Sequence, residues 1–356
     1  MAPVVKELAR RGTEVVSGVC VTGQQREMLD QALALFDMRP DYDLNVMRPD
    51  QSLSGLTALL FSGLDRVVRE FKPDWVLAQG DTTTVLVAAM VAFYSRVRFG
   101  HVEAGLRTGD KHHPFPEEIN RRVADVIADA FFAPTQRARQ ALLQEGAAPE
   151  TILVSGNTVV DALLEIAARP FDWASSPVAF LSGDVPLVLI TAHRRESFGK
   201  PFEEMCLALR ELATRFSDKH FVYPVHLNPN VRQPVQRILS GIRNLHLIEP
   251  VDYLTMVHLM QRSRLILTDS GGVQEEAPSF GVPVLVMRET TERPEGVEAG
   301  VVKLVGTRRD QIVKEASKAL AVPAGRNDCA SRPNPYGDGR AAQRIVDYLL
   351  KSSVPY

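Results

Sequence analysis

The stretch Leu265-Ile-Leu-Thr-Asp-Ser-Gly-Gly-Val-Gln-Glu-Glu-Ala-Pro-Ser-Phe-Gly281 decides the fold. An apolar strand, Leu265–Thr268, runs into Asp269, two glycines follow at once, and a helical segment continues to Gly281, which reads as its C-terminal stop. Strand, glycine turn and helix make the repeating unit of an α/β sheet. At such a turn backbone N–H groups can approach an anion closely, and the helix dipole favours its charge. Asp269, Ser270, Gly271 and Gly272 therefore read as a grip on a nucleotide diphosphate. Ser270 adds a hydroxyl donor, and Glu276 is spaced to accept hydrogen bonds from a ribose diol. The competing reading is a tight turn with a helix cap.

The same alternation extends in both directions. Strands are expected at Glu14–Val21, Trp75–Gln79, Val97–His101, Ala130–Ala133 and Thr151–Ser155, then at Leu187–Thr191, His220–Val225, Leu245–Ile248, Leu265–Thr268, Val282–Met287 and Val301–Val305. Helical periodicity fills most gaps, as at Thr57–Phe71, Pro201–Phe216 and Arg308–Leu320. This pattern implies parallel sheets covered on both faces. A length of 356 residues suits two such domains. The boundary falls in Ala168–Pro186, which is rich in proline, serine and glycine. Residues 1–168 are expected to form one Rossmann-like lobe and 169–338 a second. Residues 339–356 form a C-terminal helix, centred on Gly339–Leu350, that packs back on the first lobe. Two lobes side by side leave a deep cleft at the carboxyl ends of their strands. The chain opens on a helix, Ala2–Arg11, where a doubly wound lobe ordinarily opens on a strand.

A net charge of −2 argues against a nucleic-acid-coating surface. No apolar run reaches the roughly 18 residues needed to cross a membrane. The cysteines Cys20, Cys206 and Cys329 form no C-x-x-C pair and fit a reducing cytosol. His112-His113 has no third ligand at metal spacing, so no metal is expected. No cofactor is expected either, because neither a dinucleotide fingerprint nor a P-loop occurs.

Several further motifs end strands. In Thr191-Ala-His-Arg-Arg-Glu-Ser-Phe-Gly199, His193 sits at the carboxyl end of a strand, and Arg194 and Arg195 supply a positive field for a diphosphate. Gln79-Gly-Asp-Thr-Thr-Thr84 puts Asp81 at a rim, unless it serves as a helix N-cap. His101-Val-Glu-Ala-Gly-Leu-Arg-Thr-Gly109 adds Glu103, and Pro114-Phe-Pro-Glu-Glu-Ile-Asn-Arg-Arg122 adds Glu117 at a helix start behind Pro116. Three acids on consecutive loops exceed what capping needs and suggest acid/base chemistry on the sugar of a nucleotide sugar. Tyr223–Asn230 and Met287–Glu295 follow strands as further loops.

Together with Thr22–Leu29, Gly156–Ala162 and Thr290–Pro294, these segments resemble the non-hydrolysing bacterial UDP-N-acetylglucosamine 2-epimerases along nearly the whole chain. The resemblance implies the glycosyltransferase-B architecture of two Rossmann-like lobes, a homodimer in the cytoplasm, and interconversion of UDP-N-acetylglucosamine and UDP-N-acetylmannosamine. The route it implies is elimination and re-addition of UDP through 2-acetamidoglucal. Asp81, Glu103 and Glu117 match the family's acid/base carboxylates, and His193 the histidine that contacts UDP phosphate and assists its departure. Arg194, Ser270, Gly271, Gly272, Glu276 and Arg293 fall among the UDP contacts. Gln24 and His226 match positions implicated in binding a second, activating substrate molecule. Family members begin with a strand and a Gly-Thr-Arg-Pro-Glu loop ahead of a helix resembling Met1–Leu8, and this chain is expected to lack both. The alternatives are a glycosyltransferase of the same architecture and a catalytically impaired UDP-sugar-binding protein.

Overall fold

The computed structural model describes residues 1–24, 26–181, 183, 185–322 and 328–352. Its strands, in chain order, are β1 (Cys20–Val21), β2 (Tyr42–Asp43), β3 (Trp75–Gln79), β4 (Arg98–Val102), β5 (Ala130–Ala133) and β6 (Ile152–Val154). They continue with β7 (Leu187–Thr191), β8 (His220–Pro224), β9 (Leu245–Ile248), β10 (Ser263–Thr268), β11 (Val284–Val286) and β12 (Val302–Leu304). All pairings are parallel. The chain divides into two compact units, Met1–Ala162 with the segment from Gly339 onward, and Leu163–Asp338. The division falls inside the helix Thr158–Ala167, just ahead of the turn-rich Ala168–Pro186.

In the first unit β3, β4, β5 and β6 lie side by side in chain order, while β1 and β2 form a separate pair. The helix Leu53–Phe71 starts where Ser52 accepts a hydrogen bond from the Gly55 amide, earlier than the apolar repeat alone indicates, and ends at Lys72 in the left-handed region. Leu56, Leu60, Leu64 and Val68 recur at four-residue spacing on its buried face. The next helix, Thr83–Tyr94, is apolar almost all round because it packs against both Leu53–Phe71 and Glu117–Ile127.

The expected strand Glu14–Val21 shrinks to Cys20–Val21. Arg11–Glu14 is a turn, and Val16 is exposed. The Val19 amide is taken by the Asp41 side chain at 2.7 Å. β-branched residues favour a strand only where a neighbouring strand offers a face to pack on. β2 was absent from the expected strands, being too short to carry a period.

The second unit has the sheet order β12-β11-β10-β7-β8-β9. The chain therefore leaves β7 in one direction for β8 and β9, then returns to lay β10 on the other side of β7. Strand order reverses between β7 and β10, which makes that pair the topological switch point, where open α/β sheets bind ligands. Both strands are buried on both faces: Val188, Ile190, Leu265 and Leu267 pack on one side, and Leu187, Leu189 and Ile266 are equally buried. The helices Lys200–Arg215, Pro229–Leu239 and Arg309–Ala321 pack together around this sheet. No described helix is long and apolar enough to cross a membrane.

The helix Ala341–Lys351 belongs to the first unit. Ile345, Val346 and Leu349 join Val4, Val102 and Phe132 in one apolar cluster. Asp161 accepts from the Ala341 and Ala342 amides at 3.2 and 2.8 Å, a cap supplied from far away in sequence. Replacing it (Asp161→Ala) should cost about 1–2 kcal/mol. The loss should appear as a lower urea midpoint and as faster hydrogen exchange within Ala341–Lys351; unchanged exchange there would refute the cap.

Candidate active site

At the switch point, β7 and β10 run in register, with Thr191 opposite Thr268. Their hydroxyls share a 2.6 Å hydrogen bond, so the two chains leave the sheet together. Asp269 is fully buried. Its Oδ2 accepts from the His193 and Arg194 amides at 2.7 and 2.8 Å, and its Oδ1 lies 3.6 Å from His193 Nδ1. Asp269 therefore does not face an anion. It turns inward and fixes the segment that would.

His193 stacks on His226 with centroids 5.4 Å apart. Burial lowers the imidazole pKa below its ordinary value; Asp269 pulls it up, while His226 and Arg194 push it down. The Tyr223 hydroxyl donates to the Ala192 carbonyl at 2.6 Å and pins the strand end from β8. Arg194 lies over the glycine turn, since a Cβ on Gly271 would meet its guanidinium at 3.3 Å. Its buried Nε has no partner among the described residues.

Ser270 stands at the N-cap position of the helix Gly271–Glu276, yet its hydroxyl makes no cap bond. The helix is shorter than the sequence indicates: after Glu276 the chain tightens into a 3-10 turn, Ala277–Phe280, and Gly281 ends it at φ 65°. Glu276 is buried and accepts from the Tyr253 hydroxyl at 2.6 Å. Burial raises its pKa to about 7, with Tyr253 opposing the rise and Glu275 adding to it. Arg293 pairs with Glu275, and its amide donates to Thr291 Oγ1 at 3.0 Å.

In the first unit the three expected acids emerge from adjoining elements. Asp81 follows β3 beyond Gly80, whose φ is 84°. It is not the helix cap, because Thr82 occupies that position. Its carboxylate instead meets Arg121 at 2.5 Å, and its carbonyl accepts from Asn120 at 2.9 Å. Glu103 follows β4 in the left-handed region at φ 67°. That conformation costs a non-glycine residue on the order of 1 kcal/mol. Gln79 donates to its Oε2 at 3.2 Å. Glu117 opens the helix Glu117–Ile127, one turn before Arg121 on the same face. Its half-buried carboxylate has no hydrogen bond or ion pair among the described residues. Gln24 accepts from Thr84 Oγ1 at 3.2 Å, beside the start of the next helix.

Sequence reasoning passed over several residues that hold this rim. Glu118 is fully buried and accepts from the Thr108 and Gly109 amides at 3.1 and 3.2 Å. His101, Asp125, Arg107 and Arg121 were inside or near quoted motifs without a role. Tyr253 carried no local signal.

Glu276 generates a stability test. A carboxyl whose folded pKa is about 7 against an ordinary 4.5 keeps its proton in the folded state over that window while the unfolded chain has lost it. Folding stability contributed by this group falls as pH rises from about 4.5 to 7, then levels. The difference in unfolding free energy between wild type and Glu276→Gln should drift by roughly 3 kcal/mol across that window. A difference flat with pH would refute the buried acid.

Residues 6–350 match the family described as UDP-N-acetylglucosamine 2-epimerase. The UDP-N-acetylglucosamine 2-epimerase of Escherichia coli strain K12 is 51% identical over 360 residues, spanning 99% of this chain and 96% of that protein. Its namesake from Salmonella typhimurium strain LT2 is 50% identical over 355 residues, spanning 98% and 94%. Among solved structures, the UDP-GlcNAc 2-epimerase from Neisseria meningitidis bound to UDP-GlcNAc aligns at a TM-score of 0.87 and 46% identity, over 99% of this chain and 96% of that one. Sequence, parallel α/β architecture and strand-end motifs agree: the chain belongs to the UDP-N-acetylglucosamine 2-epimerase family.

Proposed function

We propose that this chain interconverts UDP-N-acetylglucosamine and UDP-N-acetylmannosamine by eliminating and re-adding UDP. The observation that carries the reading is full-length similarity at about half identity to epimerases of that name, with every motif acid present at a strand end or helix start. The C2 proton is not acidic, because the acetamido nitrogen beside it offers little carbanion stabilisation. Elimination avoids a free carbanion: a base takes the C2 proton as the C1–O bond breaks, UDP leaves with the electron pair, and C1=C2 forms. In the return step a phosphate oxygen of UDP attacks C1 while an acid delivers a proton to the opposite face of C2.

Asp81, Glu103 and Glu117 are the proposed proton carriers. They differ in environment, which suits different roles: Asp81 is held by Arg121, Glu103 by Gln79, and Glu117 is unengaged among the described residues. His193, Arg194, Ser270 and the Gly271–Gly272 turn are the proposed diphosphate contacts. The Ser270 hydroxyl, which makes no cap bond, and the Arg194 guanidinium over Gly271 support that assignment. A donor aimed at the departing phosphate lowers the barrier because charge builds there as UDP leaves. Glu276 would meet the ribose, and Arg293, which pairs with Glu275 at the end of the same helix, is the remaining proposed UDP contact. Gln24 and His226 are each proposed as contacts for a second substrate molecule, and His226 stacks on the proposed phosphate contact His193.

The reading includes a cytoplasmic homodimer. Phe93 and Tyr94 are 64% and 67% exposed at one helix end, with Phe61 against Tyr94, an uncovered aromatic edge suited to a second copy. Light scattering on the purified protein should give twice the chain mass, and Phe93→Asp with Tyr94→Asp should halve it. A wild-type monomer would sink this part.

Incubation with UDP-N-acetylglucosamine in D₂O tests the reaction. The manno epimer should appear with deuterium at C2. Glu103→Gln, Asp81→Asn and His193→Ala should each lower kcat by about 10²-fold or more. UDP binding without exchange would overturn the epimerase reading.

A further inference from the structure

His101 lies at the end of β4, has no solvent exposure, and contacts acceptors through both ring nitrogens. Nδ1 is 2.6 Å from Asp125 Oδ1, and Nε2 is 2.7 Å from the Gly80 carbonyl oxygen. A carbonyl oxygen can only accept, so Nε2 must carry a proton. Nδ1 must also carry one unless Asp125 is protonated and donates to the ring. Asp125 is poorly placed to hold that proton. Its Oδ2 receives the Arg107 guanidinium at 2.7 Å and the Gly105 amide at 3.3 Å, and both contacts favour the ionised carboxylate.

The directions of titration agree with this geometry. Burial opposes charge on His101, but the Asp125 hydrogen bond and field, the Gly80 carbonyl and the Glu103 field outweigh it and leave the imidazole above its ordinary value. Burial likewise opposes charge on Asp125, and His101 with Arg107 outweighs it in turn. Arg107 is shared with Glu145, which closes the network on its solvent side. The aromatic ring of Phe99, uncharged, lies 6.0 Å from the imidazole.

We propose that His101 is a permanent imidazolium and the positioning residue that sets the Gly80–Asp81 turn and Glu103 for proton transfer. Gly80 immediately precedes Asp81, and His101 stands two residues before Glu103. Asp125 sits two turns along the helix that Glu117 opens. One buried cation thus joins the three segments that carry the three acids. A neutral imidazole could satisfy Asp125 or Gly80 but not both. Losing its second proton would release either the turn or the helix. The inference rests on the reading that Asp81 and Glu103 carry the proton transfers.

Neutron diffraction from perdeuterated protein at pD 8 tests the charge. Deuterons are expected on both Nδ1 and Nε2; a single deuteron, or one on Asp125, would overturn the proposal. Positioning is tested with Asp125→Asn, which removes the charge that keeps the ring protonated while leaving an acceptor. Its kcat should fall more than tenfold between pH 6 and 8.5 beyond any wild-type change, with the dissociation constant for UDP altered less than threefold. A profile parallel to wild type would overturn the role. His101→Gln should lose at least 30-fold in kcat at all pH values, and turnover within threefold of wild type would also overturn it. If Asp81→Asn and Glu103→Gln both retain turnover, the functional reading fails instead, and the neutron result still decides the charge on His101.

Discussion

A carboxylate taken out of water has to be answered by protein donors, and at both strand-end rims of this chain that demand dictates where the loops go. Burying an ion costs several kcal/mol after relaxation, and only good geometry offsets it. Asp269 takes two backbone amides from the neighbouring strand's exit on one carboxylate oxygen, and this fixes the direction in which the chain leaves β7. Asp125 meets it with an imidazole from the end of β4 and with an amide and a guanidinium from the loop that follows. Neither acid needs to touch a ligand to matter. Each converts a flexible strand exit into a fixed one, and pre-organised donors are worth more than mobile ones when charge develops in a reaction.

The two units solve this problem on different topologies. In the second, the reversal of strand order between β7 and β10 opens a crevice by itself, and Asp269 has only to hold its walls. The first has β3 to β6 in simple succession, with no reversal among them. Its rim depends correspondingly more on side chains: the helix Glu117–Ile127 contributes Glu118, Asn120, Arg121 and Asp125, every one of them buried and bonded to the loops beside it. The density of charge there is a substitute for topology.

That contrast also explains which parts were legible in sequence. Strands buried on both faces announce themselves as apolar runs, and Leu187–Thr191 falls where the run does. Glu14–Val21 has the composition of a strand without a sheet face to lie on. Motif acids were findable because they sit at fixed offsets from strand ends. Direction was not: Asp269 and Ser270 are neighbours in sequence, yet one turns inward to amides 75 and 76 residues away and the other leaves the helix start uncapped by its hydroxyl. Asp81 looks like a helix cap until Arg121, 40 residues on, is seen to claim it. Pairs such as Glu276 with Tyr253 and Arg293 with Glu275 follow from helix faces that meet only after folding.

The environments of the three first-unit acids carry the argument one step further. Carboxylates with identical intrinsic chemistry take different tasks when their surroundings differ. Asp81 faces the Arg121 guanidinium. Glu117 has no cation bonded to it among the described residues. Glu103 pays for a left-handed backbone to reach its place beside Gly80, a cost that persists only where the surroundings over-determine it. The surroundings that do so are the ladder of β4 and the buried His101–Asp125 pair, which bind its strand and the turn it faces into one rigid edge. An acid held at that cost, between a fixed turn and a fixed strand, is suited to working on one defined atom.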